Sequence, residues 1–342
     1  MTLHAFLDQR NDCLLLDVRS EKEFMQGHIP DAVNIALLND EERHLVGLSY
    51  KHQGKDLAVE KGLELVGHKF VDIVRQVKAL NPKKQVVVQC WRGGLRSNIV
   101  SWILTLAGIK VVVLEDGYKN FRNWALNSFD EPRRLLVLGG QTGSRKTEIL
   151  QHLAANKQQQ VIDLEQLANH RGSSYGHIGM PPQPTNEQFE NNLAMAWNSF
   201  DSSKPIWIEN ESRRIGKNSV PTGIYNQIRT AKIINLHIDK QERSQFILEI
   251  YGKMPNDKLI EATRILEKRL GNEQMNRCIE AIEQNQKDVW IDIVLDYYDK
   301  SYQHSHDQRL IQNTTNLDAN GLTIAQIAER LCNSHLQKPE NY

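Results

Sequence analysis

Two short apolar runs constrain the fold most, because each is followed at once by a glycine-containing loop and a helical pattern. The runs are Gln85–Gln89 (QVVVQ) and Leu135–Leu138, and their loops contain Gly93, Gly94 and Gly143. A buried strand that passes through a tight loop into a helix is the repeating unit of a parallel sheet with helices on its faces. The sequence therefore predicts an α/β fold.

The chain is long enough for two domains. It has 342 residues, and the polar, proline-containing segment Asn127–Arg134 lies between the two strand–loop–helix units. We predict one domain over residues 1–130 and a second over residues 131–342, mostly helical from Gln241 onward. Further strands are predicted at Leu14–Val18, Lys110–Leu114, Gln160–Asp163, Ile206–Glu209 and Ile233–Ile238, and helices at Glu21–Met25, Gly62–Leu80, Ser97–Leu106, Tyr118–Trp124 and Lys146–Ala155.

Charge and cysteine content exclude several classes of protein. Lysine plus arginine equals aspartate plus glutamate, 42 each, so nucleic acid could be attracted only by local basic patches. The four cysteines are too scattered for a disulfide framework, and no C-x-x-C pair suggests zinc. We expect no bound metal. The N-terminal residues lack a signal-peptide pattern, and the apolar stretch Asn98–Leu114 is interrupted by Gly108 and Lys110, so we expect a cytoplasmic protein.

A cysteine lies in the loop that follows the first apolar run. In Cys90–Ser97 (CWRGGLRS), loop amides and a helix N-terminus would surround the thiol, which lowers a cysteine pKa and favours a bound anion. Cys90 is therefore the candidate nucleophile, and Arg96 can close the anion pocket with its guanidinium. We expect the other three cysteines to be structural. The amides of the pocket are predicted to come from Arg92, Gly93, Gly94 and Leu95.

The loop after Leu135–Leu138 resembles a phosphate-binding P-loop. In GGQTGSRKT, Lys146 would neutralise phosphate charge, and Thr147 could hold a metal or a phosphate oxygen. Arg145 stands where the pattern expects glycine, which disfavours tight ATP binding, although its side chain could also donate to a phosphate. A plain glycine-rich turn is the alternative interpretation. The other predicted phosphate-binding residues are Gly140, Thr142, Gly143 and Ser144.

Several polar residues follow the predicted strands of the second domain. Asp163 and Glu209 stand at strand ends, where acidic residues can approach phosphates or a metal, although both could be ordinary strand-end carboxylates. Tyr175 could stack on a base. Two segments rich in arginine, serine and glycine suit contacts to phosphate or RNA, the alternative being solvated loops. The candidate contact residues in these segments are His170, Arg171, Ser173, Ser174, Arg213 and Arg214.

The first 130 residues resemble a rhodanese domain. The resemblance rests on Leu16–Ser20 (LDVRS), Glu23 and Gly27–Asn34 (GHIPDAVN) together with the Cys90 loop. Asp31 and Asp116 replace glycines that are usual in that family, both at turns. Five residues separate Cys90 from Arg96, one more than is common in rhodaneses. This spacing is that of cysteine phosphatases and suggests room for a tetrahedral anion.

The two domains together resemble the tRNA 2-selenouridine synthase family. The segments Asn169–Ser174 (NHRGSS) and Glu211–Gly216 (ESRRIG) strengthen this resemblance. It implies replacement of the 2-sulfur of wobble 2-thiouridine by selenium from selenophosphate, through an S-geranyl intermediate made from geranyl diphosphate. It further implies a tRNA partner bound at its anticodon region and no tightly bound cofactor. On this view Cys90 serves selenium transfer, and the loop Gly139–Thr147 binds a phosphate or diphosphate.

Two other interpretations remain open at the sequence level. One is a cysteine-dependent phosphatase or sulfurtransferase with a regulatory nucleotide-binding domain, and the other is a non-catalytic RNA-binding protein. If tRNA binds, its affinity should fall with salt, because charge must be segregated on this neutral chain. The basic residues predicted to form a shared face with His170, Arg171, Arg213 and Arg214 are Lys217, Lys258, Arg264, Lys268 and Arg269.

Overall fold

The computed structural model describes residues 1–80, 84–306 and 314–336. The chain forms two compact units, one of residues 1–128 with 190–195 and one of residues 129–189 with 196–342. Each unit contains a parallel β-sheet with helices, so the fold is α/β, as the sequence predicts. None of the helices in the described part of the chain is both long and apolar enough to cross a membrane.

The first unit carries a four-stranded sheet of order β2-β1-β3-β4, in which all neighbouring strands are parallel. Strand β3 lies in the interior of this sheet, and its three valines are fully buried. The Cys90 loop therefore leaves the sheet from a rigid strand. The elements are α1 (Leu3–Gln9), β1 (Cys13–Asp17), α2 (Glu21–Gln26), β2 (Val33–Asn34), α3 (Asp40–Gln53), α4 (Lys55–Val66), α5 (Phe70–Ala79), β3 (Gln85–Gln89), α6 (Leu95–Leu106), β4 (Val111–Val113) and α7 (Gly117–Ser128).

The second unit carries a five-stranded parallel sheet of order β11-β10-β5-β7-β6. Its central strand β5 (Leu135–Gly140) is buried throughout and leads through the glycine-rich loop into α8 (Lys146–Lys157). The helix α10 (Asn186–Ser199) has residues 190–195 in the first unit and its two ends in the second. The other elements are β6 (Gln160–Ile162), α9 (Leu164–Ala168), β7 (Ile206–Glu209), β8 (Arg214–Ile215), β9 (Asn218–Ser219), α11 (Thr222–Thr230), β10 (Lys232–His237), α12 (Lys240–Tyr251), α13 (Asn256–Arg264), α14 (Glu267–Leu270), α15 (Asn272–Glu283), α16 (Lys287–His306), β11 (Thr314–Asp318) and α17 (Ile324–Leu336).

Two parts of the chain differ from the sequence-based expectation. The predicted helix Gly62–Leu80 is two helices, α4 and α5, separated by a 3₁₀ turn at Gly67–Lys69. The predicted helical region after Gln241 also contains β11, which pairs with β10 at the sheet edge. Strand β11 is partly or fully exposed along its length and has no continuous apolar run, so its sequence carries little strand signal.

Three residues that replace expected glycines keep the glycine-like backbone. Asp31, Asp116 and Arg145 have φ angles of 69°, 56° and 57°. This left-handed conformation costs an L-residue roughly 1 kcal/mol relative to glycine. The substitutions therefore change the side chain at these turns and leave the local chain path intact.

Candidate functional site

The Cys90 loop is fixed by backbone contacts that require glycine. Gly93 has a φ of 59°, and a Cβ placed there would lie 2.5 Å from the carbonyl oxygen of Leu114. The amide of Tyr118 donates to the carbonyl of Cys90 over 2.9 Å, which ties the loop to α7. Cys90 thus has a defined position between the end of β3 and the start of α6.

The Cys90 thiol is buried, with 4% of the residue exposed, and its Sγ lies 3.4 Å from the Ser97 hydroxyl. Burial alone would raise the pKa of this thiol. Hydrogen bonds from the Ser97 side chain and from the amides of Arg92 and Ser97, together with the Arg96 charge, outweigh that effect and lower it. This environment favours a thiolate, which is the nucleophilic form of cysteine.

Arg96 has a partner that the sequence analysis missed. Its Nη1 and Nη2 atoms donate to the Glu23 carboxylate over 2.6 and 3.2 Å. Glu23 is the third residue of α2, where it also caps the Ser20 amide. The capping pattern S-x-x-E was visible in the sequence, but its link to Arg96 depends on the tertiary fold. An anion beside Cys90 would therefore share Arg96 with Glu23.

The glycine-rich loop joins β5 to α8 with the chain path of a phosphate-binding turn. A Cβ on Gly140 would meet the Ser144 hydroxyl at 2.5 Å, and Gly143 has a φ of 85°. The Lys146 ammonium donates to the carbonyl of Gly140 over 2.8 Å, so it lies across the loop. Backbone amides at the start of α8 and this charge together favour an anion.

The Arg145 side chain is engaged with its own surroundings. Its Nε atom donates to the Glu148 carboxylate over 2.8 Å, and its guanidinium lies 5.1 Å from the centre of the Phe246 ring. The pair with Glu148 is partly exposed, since the side chains are 34% and 43% accessible. Arg145 therefore fills the position where the P-loop pattern has glycine, and its side chain contacts Glu148 and Phe246.

We expect Arg145→Gly to change activity little. A partly exposed ion pair contributes at most about 1 kcal/mol, so its loss should alter turnover by less than about fivefold. Steady-state rates of the two proteins on the same substrate would test this. A large gain in the variant would mean that Arg145 obstructs the ligand.

Carboxylates gather beside the P-loop at the ends of β6 and β7. The Thr147 hydroxyl donates to Oε2 of Glu165 over 3.0 Å, and the Glu165 amide donates to Oε1 of Glu209 over 2.9 Å. Ligand atoms of Glu165, Glu209 and Glu211 all lie within 4.8 Å of one another. Asp163 instead caps α9 by accepting from the Gln166 amide. The sequence pattern predicts site roles for Asp163 and Glu209 only. Glu165 and Glu211, which the structure brings beside them, were not predicted.

Burial and mutual repulsion raise the pKa values of these glutamates. Desolvation, followed by the charge of Glu211, raises the pKa of Glu165 to about 8. Desolvation and the Glu165 charge raise the pKa of Glu209 well above its ordinary range. Desolvation also raises the pKa of Glu211, which the charge of Lys146 partly offsets. The cluster therefore disfavours full ionisation near neutral pH.

A pH dependence of stability follows from Glu165. Its folded pKa of about 8 exceeds the reference value of 4.5, so the folded protein holds a proton that the unfolded chain releases. Its contribution to stability is therefore complete below about pH 4.5 and is lost as pH rises through about 8. We expect Glu165→Gln to flatten this part of the stability profile. Urea unfolding of both proteins at a series of pH values would measure the free energy of unfolding. If that free energy fell with pH equally steeply in the variant, the assignment to Glu165 would be contradicted.

A cavity of about 680 Å³ connects the P-loop to an apolar wall within the second unit. Glu165 and Glu211 line it beside the loop, together with Arg171, Gly172 and Ser173 from the predicted contact segment. The polar end is lined by Gly140, Thr142, Gly143, Ser144, Lys146 and Thr147. The apolar wall consists of Phe246, Ile247 and Ile250 from α12 and Trp290, Ile291, Val294 and Leu295 from α16.

The predicted RNA-contact residues differ in their accessibility. His170 is 6% exposed and Tyr175 is 3% exposed, so little of either ring is accessible to a base or a phosphate. The Tyr175 hydroxyl instead lies 2.9 Å from the Thr263 hydroxyl and accepts from Trp290 Nε1 over 3.2 Å. Tyr175 belongs to the core and borders the cavity with a small exposed fraction. Its burial disfavours base stacking, which stays a prediction.

The remaining contact candidates lie at the cavity or on the surface. The Arg171 guanidinium donates to the Ile178 carbonyl over 2.9 Å, and the Ser174 amide donates to the Tyr298 hydroxyl over 3.0 Å. Both bonds hold the loop in place. All of the following basic residues, which are predicted to form a shared face, are exposed: Arg213, Arg214, Lys217, Lys258, Arg264, Lys268 and Arg269.

Comparison with known proteins agrees with the two-part architecture. The family model described as "tRNA 2-selenouridine synthase AAA domain" matches residues 133–330, and the "Rhodanese-like domain" matches residues 2–123. A curated tRNA 2-selenouridine synthase from Marinobacter nauticus is 33% identical, with 90% of this chain and 91% of that protein covered. A relative of the same name from Hydrogenovibrio crunogenus is 35% identical, with 89% and 93% covered. The chain belongs to the tRNA 2-selenouridine synthase family.

Proposed function

We propose that this protein is a tRNA-modifying transferase that replaces the 2-sulfur of wobble 2-thiouridine with selenium. Geranyl diphosphate alkylates the sulfur first, and selenophosphate then supplies the selenium. The relatives that align over most of the chain are named tRNA 2-selenouridine synthase, which supports a tRNA substrate and a selenium product. Both proposed donors carry phosphate groups, which suits a protein with two loops that are predicted to bind anions.

The observation that carries the assignment of donors is the cavity of the second unit. It has the P-loop at one end and a wall of apolar side chains at the other, those from α16 buried and those from α12 partly buried. A ligand that fits both ends has a diphosphate group and a hydrocarbon chain. Geranyl diphosphate has this form, whereas ATP would place a polar ribose and base against the apolar wall.

The first step requires a stabilised leaving group. The thiouridine sulfur attacks C1 of the geranyl group, an S–C bond forms, and the C–O bond to diphosphate breaks. Negative charge develops on the departing diphosphate. Lys146 and the amides at the start of α8 lie where they would stabilise that charge.

The second step is assigned to the Cys90 loop of the first unit. S-Alkylation turns the sulfur into a thiol leaving group, so the selenium of selenophosphate can add at C2 and displace geranyl thiol. Hydrolysis of the Se–P bond then releases phosphate and leaves selenium at C2. The lowered pKa of Cys90 and the Arg96 charge suit the transfer of selenium from an anionic donor.

Direct ligand binding tests the assignment of geranyl diphosphate to the second unit. We expect the purified protein to bind geranyl diphosphate more tightly than inorganic diphosphate, because the apolar wall adds affinity for the hydrocarbon chain. ATP should bind more weakly than geranyl diphosphate. Isothermal titration calorimetry with the three ligands measures this order. Equal affinity for geranyl diphosphate and inorganic diphosphate would contradict the proposed role of the wall.

The alternative of a phosphatase or sulfurtransferase rests on the Cys90–Arg96 spacing. The ion pair between Arg96 and Glu23 bears on both readings alike, because an aryl phosphate or selenophosphate at this loop would share the guanidinium with Glu23. Turnover of an aryl phosphate, or of thiosulfate with cyanide, would favour the alternative over selenium transfer to tRNA.

A further inference from the structure

One face of α16 lines the cavity of the second unit, starting from the P-loop. At the P-loop end, the Tyr302 hydroxyl accepts a hydrogen bond from the Gly140 amide over 2.9 Å. The lining residues of α16 follow the helical repeat: they are Trp290, Ile291, Val294, Leu295, Tyr298, Ser301 and Tyr302. At about 1.5 Å per residue, Trp290 and Tyr302 are about 18 Å apart along the helix axis. Trp290 therefore lies at the end of the cavity that is remote from the P-loop.

Contacts of α12 with α16 agree with this direction. The Arg243 guanidinium, near the start of α12, donates to the Thr142 carbonyl of the P-loop and to the Asp299 carboxylate of α16, each over 3.0 Å. Just beyond the other end of α12, the Gly252 carbonyl accepts from the Lys287 ammonium at the start of α16 over 2.7 Å. The two helices are therefore antiparallel, and the start of α16 is far from the P-loop.

The indole ring of Trp290 is held in one position by a chain of buried hydrogen bonds. Its Nε1 donates to the Tyr175 hydroxyl over 3.2 Å, and that hydroxyl lies 2.9 Å from the Thr263 hydroxyl. Thr263 in turn donates to the Leu259 carbonyl over 2.8 Å. The Trp290 and Tyr175 rings also meet edge to face, with their centres 5.2 Å apart. Moving the indole ring would leave a buried N–H and a buried hydroxyl without partners, which is costly.

We propose that Trp290 sets the length of the prenyl chain that this protein accepts, by closing the far end of the cavity. The inference rests on the proposed function, which supplies a prenyl diphosphate as the ligand. With the diphosphate at the P-loop, the hydrocarbon chain would lie along Val294, Leu295 and Ile291 and end at Trp290. A chain that is longer by one isoprene unit would have to displace the fixed indole ring.

Two properties distinguish Trp290 from the other residues of the apolar wall. It is the largest α16 side chain that borders the cavity, and it is the one farthest along the helix from the P-loop. Ile291, Val294 and Leu295 have aliphatic side chains, which can adjust to a chain lying beside them. Forcing additional bulk into a well-packed region is unfavourable, so a fixed aromatic ring excludes the longer chain.

The test is a competition between two prenyl diphosphates in one reaction. The full-length protein is given 2-thiouridine-containing tRNA with equal concentrations of geranyl and farnesyl diphosphate, and nucleoside mass spectrometry measures the ratio of the two products. We expect the wild type to transfer mainly geranyl. In Trp290→Leu the farnesyl-to-geranyl ratio should rise at least about tenfold, because the pocket becomes longer. Since both products come from the same molecules, this ratio does not depend on the folded fraction.

The matched control is Trp207→Leu. Trp207 is also 1% exposed, and it belongs to the core cluster that contains Ile149 and Leu150 of α8. Its replacement removes the same bulk from the interior of the same unit, so it should destabilise the protein and leave the product ratio at the wild-type value. Thermal unfolding of each variant measures the destabilisation.

A second variant tests the inference in the opposite direction. Val294 is 7% exposed and lies one helical turn nearer the P-loop than Trp290. Val294→Phe should shorten the pocket, so that dimethylallyl diphosphate gains at least about tenfold over geranyl diphosphate in the same kind of competition. This arm keeps Trp290 in place and remains informative if Trp290→Leu does not fold.

The inference and the proposed function fail in different ways. Geranyl transfer by the wild type, with the same product ratios in the folded Trp290→Leu and Val294→Phe proteins, would overturn the role of Trp290 and leave the transferase function intact. A wild type that transfers farnesyl as readily as geranyl would do the same. If the wild type transferred no prenyl group, the proposed function and the inference would both be overturned.

Discussion

Lys146→Ala is expected to slow geranyl transfer to 2-thiouridine by about 100- to 1,000-fold, the usual effect of removing a group that stabilises developing negative charge. Lys146 lies across the glycine-rich loop, with its ammonium 2.8 Å from the Gly140 carbonyl oxygen. Its charge should also support ground-state binding, so the affinity for geranyl diphosphate should fall by about 10- to 100-fold. Single-turnover transfer rates and calorimetric affinities measure the two effects separately.

The matched control is Lys157→Ala, at the opposite end of the same helix α8. The variant removes one lysine charge that lies far along the helix from the loop. It should therefore transfer geranyl at the wild-type rate. Comparable losses in the two variants would indicate a general effect on tRNA attraction or on folding. A Lys146→Ala protein that transfers geranyl normally would contradict the assignment of the diphosphate to the P-loop.

The second large effect is expected for Cys90→Ser. This variant should lose 2-selenouridine formation by more than about 1,000-fold, because a serine hydroxyl is not ionised near neutral pH and cannot act as the thiolate does. Geranylated tRNA should still form, since the P-loop cavity belongs to the other unit. Nucleoside mass spectrometry on tRNA incubated with both donors would quantify the two products.

Cys13→Ser is the control for this variant, because Cys13 lies in β1 of the same unit and is half-buried. It should make 2-selenouridine as the wild type does. Loss of both geranylated and selenated products in Cys90→Ser would contradict the division of the two steps between the two loops. Full selenation by Cys90→Ser would remove the cysteine from the chemistry altogether.

Local patterns predicted the parts of the site that depend on neighbouring residues in the chain. Strand β3 was predicted with its observed bounds, Gln85–Gln89, because a run of β-branched residues between polar ends is an unambiguous strand signal. The P-loop was recognised because its glycines and Lys146 lie within a few positions of one another. The left-handed backbone of Arg145 follows from the same pattern, which places glycine at that position.

Contacts between distant segments were beyond the reach of these patterns. The pairing of Arg96 with Glu23 joins residues 73 positions apart, and no periodicity in the sequence indicates it. The convergence of Glu165 with Glu211 depends on the order of β6 and β7 in the sheet, which brings their carboxyl ends together. The apolar wall could not be predicted either, because its residues on α12 and α16 look like ordinary core positions until the cavity is seen.

Nucleoside mass analysis of the wild-type protein tests the central claim most directly. Purified protein is incubated with 2-thiouridine-containing tRNA and geranyl diphosphate, with and without selenophosphate. The account predicts S-geranyl-2-thiouridine in the absence of selenophosphate, and its replacement by 2-selenouridine with release of geranyl thiol when selenophosphate is added. Unmodified 2-thiouridine in every reaction, or 2-selenouridine formed equally well without geranyl diphosphate, would contradict the account.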